Sequence, residues 1–195
     1  MIGNQEDIHK NLLCQWNGDD FYVLKYFSKR SGLSNPVTSL ILRFKENDEA
    51  AVTTVIKLMT TGFEKIEVTL RDERLCRYIV SIPSSTKESS NVPCERVCMA
   101  LAKKFDWLTH MPDALVRIEN VQKSAFAAPG ERPDYEEHMR TIEYKGSPLH
   151  LTKESFIILD DVKTRGETSR ACREILVKAT GCKAVIGVFL GRTQR

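Results

Sequence analysis

An open, mainly parallel α/β sheet flanked by helices is the fold this sequence predicts, and three observations predict it. Phe156-Ile157-Ile158-Leu159 is a continuous apolar run that suits a strand buried on both faces, and Ala184 to Leu190 is another. Arg77 to Pro83, Pro93 to Phe105 and Ala114 to Ile118 read as strand, helix and strand, a unit whose right-handed crossover makes the sheet parallel. The 195 residues, 42% of them hydrophobic, are enough for one well-buried core.

Taken in order, Met1 to Gly18 is polar with isolated apolar residues, and Tyr22 to Phe27 reads as an edge strand, so residues 1–36 form a segment packing on or beside a core domain spanning 37–195. Asn35-Pro36 punctuates the chain. Val37, Leu40, Ile41 and Phe44 then recur at helical spacing, as do Val52, Val55, Ile56 and Met59. The pattern gives two helices, or one broken helix, ending at Gly62. Pro83 breaks the strand from Arg77, and the helix from Pro93 gathers Cys94, Val97, Cys98, Leu101 and Phe105 on one face. Glu119 to Thr152 has no clear periodicity and is expected to be a long loop. Ala171, Ile175, Leu176 and Ala179 mark a helix from about Glu167 to Thr180, closed by Gly181.

Charge and cysteines exclude several classes. A net charge of +3 among 28% charged residues gives a mixed surface, so a polyanionic partner is not required. The basic residues Arg71, Arg74, Arg77, Lys103 and Lys104 support nucleic-acid binding only weakly. Cys14, Cys76, Cys94, Cys98, Cys172 and Cys182 form no CxxC pair, which points to free cytosolic thiols and to no metal held by the protein. No apolar run approaches membrane-spanning length and no signal sequence is evident, so a cytoplasmic protein is expected. Nothing in the pattern sets an oligomeric state.

The chemistry is concentrated after Leu159. Asp160 and Asp161 follow the apolar run at the strand's carboxyl end, where open α/β sheets place ligands. Thr164, Arg165, Gly166, Glu167, Thr168 and Ser169 then supply hydroxyls, a flexible turn and the exposed N–H groups of a helix start, a loop suited to phosphate. Glu167 suits the helix dipole yet opposes a phosphate. Carboxylates beside a phosphate cradle fit a ligand with both hydroxyls and phosphate, as a sugar phosphate has. Ser84, Ser85, Thr86 and Lys87, after the strand at Pro83, are a second anion site or a surface turn. His9, His110, His138 and His150 are isolated, and no Ser/His/Asp or Cys/His constellation stands out.

Ile158 to Ser169 resembles the signature of type I phosphoribosyltransferases, in which an apolar strand, two acids and two further residues precede Thr-Thr-Gly-x-Thr; Arg165 stands here for the second Thr. The resemblance implies an activated sugar as substrate, phosphoribosyl pyrophosphate (PRPP). Asp160 and Asp161 would hold its ribose hydroxyls and act in catalysis, and Thr164 to Ser169 its 5′-phosphate. Within that group the chain is similar to the ComF-like family, which is linked to bacterial competence. Leu40 to Lys45 resembles a segment ahead of that family's first core strand, although an amphipathic helix with a basic face accounts for it equally. By the same likeness Ser84, Ser85, Thr86 and Lys87 would meet the pyrophosphate, and Arg117, Gln122, Lys123 and Arg132 loosely match the Arg…Gln…Arg pattern of a flexible flap that closes over the reaction. The cofactor implied is Mg²⁺ carried by the substrate, and the second substrate is a nitrogen acceptor of unreadable identity. The Arg-Gly-Phe-Asn segment and the cysteine-rich zinc module common in that family are absent. Together with Arg165, this leaves a non-catalytic PRPP- or nucleotide-binding sensor as the alternative.

Overall fold

The structure is a computed structural model and describes residues 8, 12–26, 35–72, 76–87, 91–122, 133–147 and 155–193. Their order is β1 (Leu12–Asn17), β2 (Asp20–Tyr26), α1 (Pro36–Lys45), α2 (Glu49–Asp72), β3 (Cys76–Ser81), α3 (Val92–Lys104), β4 (Thr109–His110), β5 (Leu115–Arg117), α4 (Tyr135–Thr141), β6 (Ile142–Tyr144), β7 (Ser155–Lys163), α5 (Glu167–Thr180) and β8 (Ala184–Thr193). Six strands form one sheet in the order β1-β2-β8-β7-β3-β4, parallel except for the antiparallel edge strand β1, while β5 and β6 make a separate antiparallel pair.

The alternation of a strand's side chains sorts the core into two layers. Ile157, Leu159, Val188 and Leu190 join Ile79 and the apolar faces of α1, α2 and α3 on one side. Phe156, Ile158, Val185 and Phe189 join Val80, Cys172 and Leu176 of α5, and Leu115 and Ile142 of the small sheet on the other. With both faces covered, β7 reads as an unbroken apolar run. Cys94 and Cys98 are core residues of α3, their thiols pushed well up by burial.

Caps fix the start of both early helices. The Asn35 side chain accepts from Val37 and Thr38 N–H at 3.0 Å each with Pro36 in the first turn, and Asp48 accepts from Ala51 N–H at 2.9 Å ahead of α2. Gly62, expected to end the helix, lies inside α2, which continues to Asp72. Its role is close approach: a Cβ there would sit 2.9 Å from Val23 Cγ2 on β2.

Three further expectations are corrected. The edge strand expected over Tyr22 to Phe27 is β2, and it is not an edge: it lies between β1 and β8, pairing in parallel with β8, a partner so distant in sequence that no local pattern reveals it; Phe27 itself falls outside the described residues. The strand that completes the unit β3-α3-strand is the two-residue β4, whereas Leu115–Arg117 leaves the main sheet and pairs with β6, register Arg117 to Ile142. The expected long loop holds α4 and β6. Asp134 accepts from Glu137 N–H at 2.9 Å and starts α4, an Asp cap too short in its following apolar pattern to stand out from composition.

Candidate functional site

From β3 the chain crosses through α3 to β4 on one side of the sheet, and from β7 it crosses through α5 to β8 on the other. The reversal lies between β3 and β7, the place where connections diverge and leave a crevice at the strands' carboxyl ends. The two segments singled out for anions leave these same two strands, Ser84 to Lys87 following β3 and Thr164 to Ser169 following β7.

The acids do not follow β7; they belong to it. Pairing with β8 continues through Asp160 to Phe189 and Lys163 to Arg192, but pairing with β3 ends at Ser81 to Leu159, one further bond running from Ile82 N–H to the Leu159 carbonyl at 2.9 Å. Beyond that step the edge of β7 facing β3 is open. Asp160 Oδ1 accepts from Asp161 N–H at 2.8 Å and Asp161 Oδ1 from Val162 N–H at 2.5 Å, so the acid pair satisfies backbone donors where the sheet steps.

Lys45, the last residue of α1, reaches this rim and places its ammonium 2.8 Å from Asp161 Oδ2. Desolvation pulls the Lys45 pKa down, but the carboxylate outweighs it and the ammonium lies above its usual value. Among the described residues no cationic group stands at hydrogen-bond distance from Asp160. Burial, then the neighbouring Asp161 charge, push its carboxyl up from 3.8 to about 8, with Lys45 only partly opposing them. The Leu40 to Lys45 segment therefore contributes a charge to the site, through a contact across 116 positions of sequence that the helical pattern does not contain.

The following loop turns at Gly166, φ 87°, which is the N-cap of α5 and provides no side-chain cap. The left-handed backbone calls for glycine, and a Cβ there would stand 2.5 Å from Lys163 Cε, so that the lysine side chain would have to shift. Ser169 donates to the Gly166 carbonyl at 2.9 Å, and Arg170 N–H donates to the same carbonyl at 2.9 Å. The first-turn amides of α5 have no intrahelical acceptor by construction, and they face the loop. Thr164 and Arg165 are exposed and line a groove of about 910 Å³ that runs to Tyr22, Lys25 and Arg192 of the neighbouring strands.

Beneath the loop sits an ion cluster that sequence reading missed. Asp20 of β2 pairs with Lys163 Nζ and, at 2.6 Å, with Arg173 Nη2, and accepts from the Tyr22 hydroxyl at 3.2 Å. Burial, then Asp20, push the Tyr22 phenol up to about 12. Arg173 also donates to the Val185 and Asp19 carbonyls at 3.1 and 3.2 Å, tying α5 to β8 and the β1–β2 turn. Its members lie far apart in the chain, and no local motif joins them.

Ser84 to Lys87 makes a turn braced from behind. Arg117 Nε donates to the Ser84 carbonyl at 2.6 Å, Val121 N–H to the Ser85 carbonyl at 2.9 Å, and Asn120 Oδ1 accepts from Lys87 N–H at 2.7 Å. Thr86 N–H is held by Ser84 Oγ at 3.2 Å. Of the flap residues, Gln122 is exposed beside this brace, Arg117 is buried, and Lys123 and Arg132 lie outside the described residues. Ser81 Oγ donates to Glu95, whose other oxygen is 2.6 Å from His110 Nε2, at the edge of a cavity of about 500 Å³ that Lys87 and Arg117 also line.

Among the described residues no group of three or more His, Cys, Asp or Glu is placed to hold a metal ion, and no helix is long and apolar enough to cross a membrane. Of the basic residues considered for nucleic acid, Lys104 lies 3.6 Å from Glu64, and the side chains of Arg71, Arg74 and Arg77 are outside the described residues. No family model matches the chain and no curated protein matches it, so the site's geometry and chemistry carry its functional reading.

Proposed function

We propose that the chain is a phosphoribosyltransferase of type I, ComF-like character, which binds PRPP and transfers its 5-phosphoribosyl group to a nitrogen acceptor with release of pyrophosphate. One observation carries this reading: two adjacent carboxyls and the uncapped start of α5 stand on the same carboxyl-terminal rim, at the point where the strand order reverses. A sugar phosphate has complementary groups for both. The α5 amides with the Thr168 hydroxyl suit the 5′-phosphate, the Ser169 hydroxyl being spent on the Gly166 carbonyl, and Asp160 and Asp161 suit ribose hydroxyls.

In the transfer, the bond from the anomeric carbon to a pyrophosphate oxygen breaks, a bond to the acceptor nitrogen forms, and the nitrogen loses a proton. Positive charge develops on the ribose as pyrophosphate departs, and carboxylates at its hydroxyls favour that charge. No nucleophilic side chain is required, because alignment of sugar and acceptor supplies much of the acceleration. Two neighbouring carboxyls fit a magnesium ion that brings its remaining oxygens from substrate and water, and when bound it would neutralise pyrophosphate charge. Lys45 would then exchange Asp161 for the arriving ligand or stay as its counter-ion. Lys87, after β3, lies on the side where the leaving group would be offset.

Calorimetric titration with PRPP and Mg²⁺ tests the site. Asp161→Asn and Thr168→Ala should each weaken binding about tenfold or more, and equal heats for all three proteins would refute the assignment. A second reading, a non-catalytic PRPP- or nucleotide-binding sensor, is favoured by the engaged amides of Thr86 and Lys87 and by exposed Arg165 in place of a threonine. Pyrophosphate release on supplying a pool of bases and amines separates them: turnover supports the enzyme, and binding without release supports the sensor.

A further inference from the structure

We infer that His138 is a positioning residue, donating its Nε2–H to the Thr168 hydroxyl so that the hydroxyl's own proton is left for an anion bound at the start of α5. The inference rests on the reading of that loop as a phosphate site.

The argument begins at Arg117, 2% exposed, which can only donate. Its Nε bonds the Ser84 carbonyl at 2.6 Å and its Nη1 bonds Thr141 Oγ1 at 2.7 Å, while the Thr141 hydroxyl spends its proton on the Glu137 carbonyl at 2.7 Å. With the guanidinium so fixed, Nη2 stands 3.5 Å from His138 Nδ1. A protonated Nδ1 would oppose a donor and a positive charge, so Nδ1 carries the lone pair. The ring of His138, 4% exposed, then keeps its single proton on Nε2, 3.0 Å from Thr168 Oγ1. An Oγ1 that accepts from the ring cannot also donate to it, and its O–H turns elsewhere.

The charged surroundings keep the ring neutral. Burial, then Arg117 from β5, hold the His138 pKa down at about 4, against the pull of Asp134 at the start of α4. Glu137 on the same helix faces Arg117, and the Cys172 thiol of α5 is pushed up to about 12 by burial, so it brings no charge. One buried pair thus braces both rim segments, Arg117 through Ser84 and His138 through Thr168.

Two measurements test this. In ¹⁵N-labelled protein at pH 7, multiple-bond imidazole spectra should show His138 as the neutral Nε2–H tautomer; an Nδ1–H tautomer or an imidazolium overturns the inference, and this arm needs no variant. Ribose 5-phosphate binding is then measured by calorimetry for the parent chain, Thr168→Val, His138→Leu, His138→Gln and the Thr168→Val/His138→Leu double variant. Each of Thr168→Val and His138→Leu should weaken binding about tenfold, the double variant no more than Thr168→Val alone, and His138→Gln, which retains an N–H donor, should recover most of the loss. A full second tenfold loss in the double variant, or unchanged binding in His138→Leu, overturns the inference and leaves the phosphate loop standing. A parent chain that does not bind ribose 5-phosphate overturns the loop reading, and this inference with it.

Discussion

Replacing Asp160 with asparagine should stabilise the protein at neutral pH and remove a specific piece of its pH dependence. The carboxyl is pushed from 3.8 to about 8 in the folded chain. A folded acid with a raised pKa holds a proton that the unfolded chain has already lost, so stability falls as pH climbs from 3.8 toward 8. His138 works in the opposite sense: depressed from 6.5 to about 4, it leaves the folded chain with fewer protons, and stability rises with pH across that interval. In the window from about pH 6.5 to 7.5 the unfolded imidazole is losing its last protons, so the opposing His138 contribution shrinks to roughly 0.3 kcal/mol, and the window stays below the range where unfolded thiols ionise.

Within that window one differential proton is worth at most about 1.4 kcal/mol per pH unit. Asp160 is not sealed from solvent, which reduces the expectation to roughly 0.5–1 kcal/mol, or about 1–4 °C of Tm for a chain of this size. Asparagine keeps the oxygen that accepts from Asp161 N–H, so the sheet step should survive the change. The assay is thermal unfolding of the parent chain and Asp160→Asn at pH 6.5 and 7.5. The parent should lose Tm between the two and the variant should not. Parallel shifts in both would show that Asp160 already ionises normally and that the rim is no strained carboxyl pair.

Gly62→Ala should lower stability by about 1 kcal/mol, overpacking against Val23 outweighing the gain in helix propensity, and Val23→Ala should relieve it in a double variant followed by denaturant unfolding. Gly166→Ala should cost about 1–2 kcal/mol by thermal melt and weaken PRPP binding in the same protein, since it strains the left-handed residue at which α5 begins. Asp20→Asn leaves Lys163 and Arg173 without their carboxylate and should cost roughly 2–3 kcal/mol, read as a fall in Tm of about 5–10 °C. PRPP and Mg²⁺ binding at pH 7 should release part of a proton from Asp160, giving heats that vary with buffer ionisation enthalpy in the parent and not in Asp160→Asn.

What the sequence made legible follows from how far each interaction reaches. β7, α5 and β8 are apparent because an apolar run, a helical stripe and a second apolar run occupy adjacent segments, and the turn at Gly166 has local glycine and hydroxyl chemistry. The acid pair could be placed on a sheet rim for the same reason. β2 is recognisable as a strand but not as an interior one, because its neighbour β8 is remote in sequence, Asp20 pairing with Gly187. β4 is two residues long and carries no alternation, so the apolar segment beside it, Leu115–Arg117, looked like the next strand of the sheet. Gly62 has the composition of a helix stop, and only the approach of Val23 explains a glycine in mid-helix. Lys45, Asp20 and the Arg117–His138 brace are side chains whose partners come from other elements, which periodicity cannot encode.

The position of Asp160 separates a structural account of the rim from a functional one. For the fold alone, the residue needs one acceptor oxygen for Asp161 N–H, and asparagine would supply it without a charge. The carboxyl instead adds desolvation and repulsion from Asp161, while the lysine nearby is committed to Asp161. A carboxyl expected to lower stability at neutral pH, where asparagine would satisfy the same backbone donor, is the pattern that ligand sites show. At the rim, a carboxyl held near the balance between its two forms can donate to a hydroxyl when protonated and attract positive charge when ionised. Under the proposed reading, a phosphorylated pentose that becomes cationic as its leaving group departs would use both.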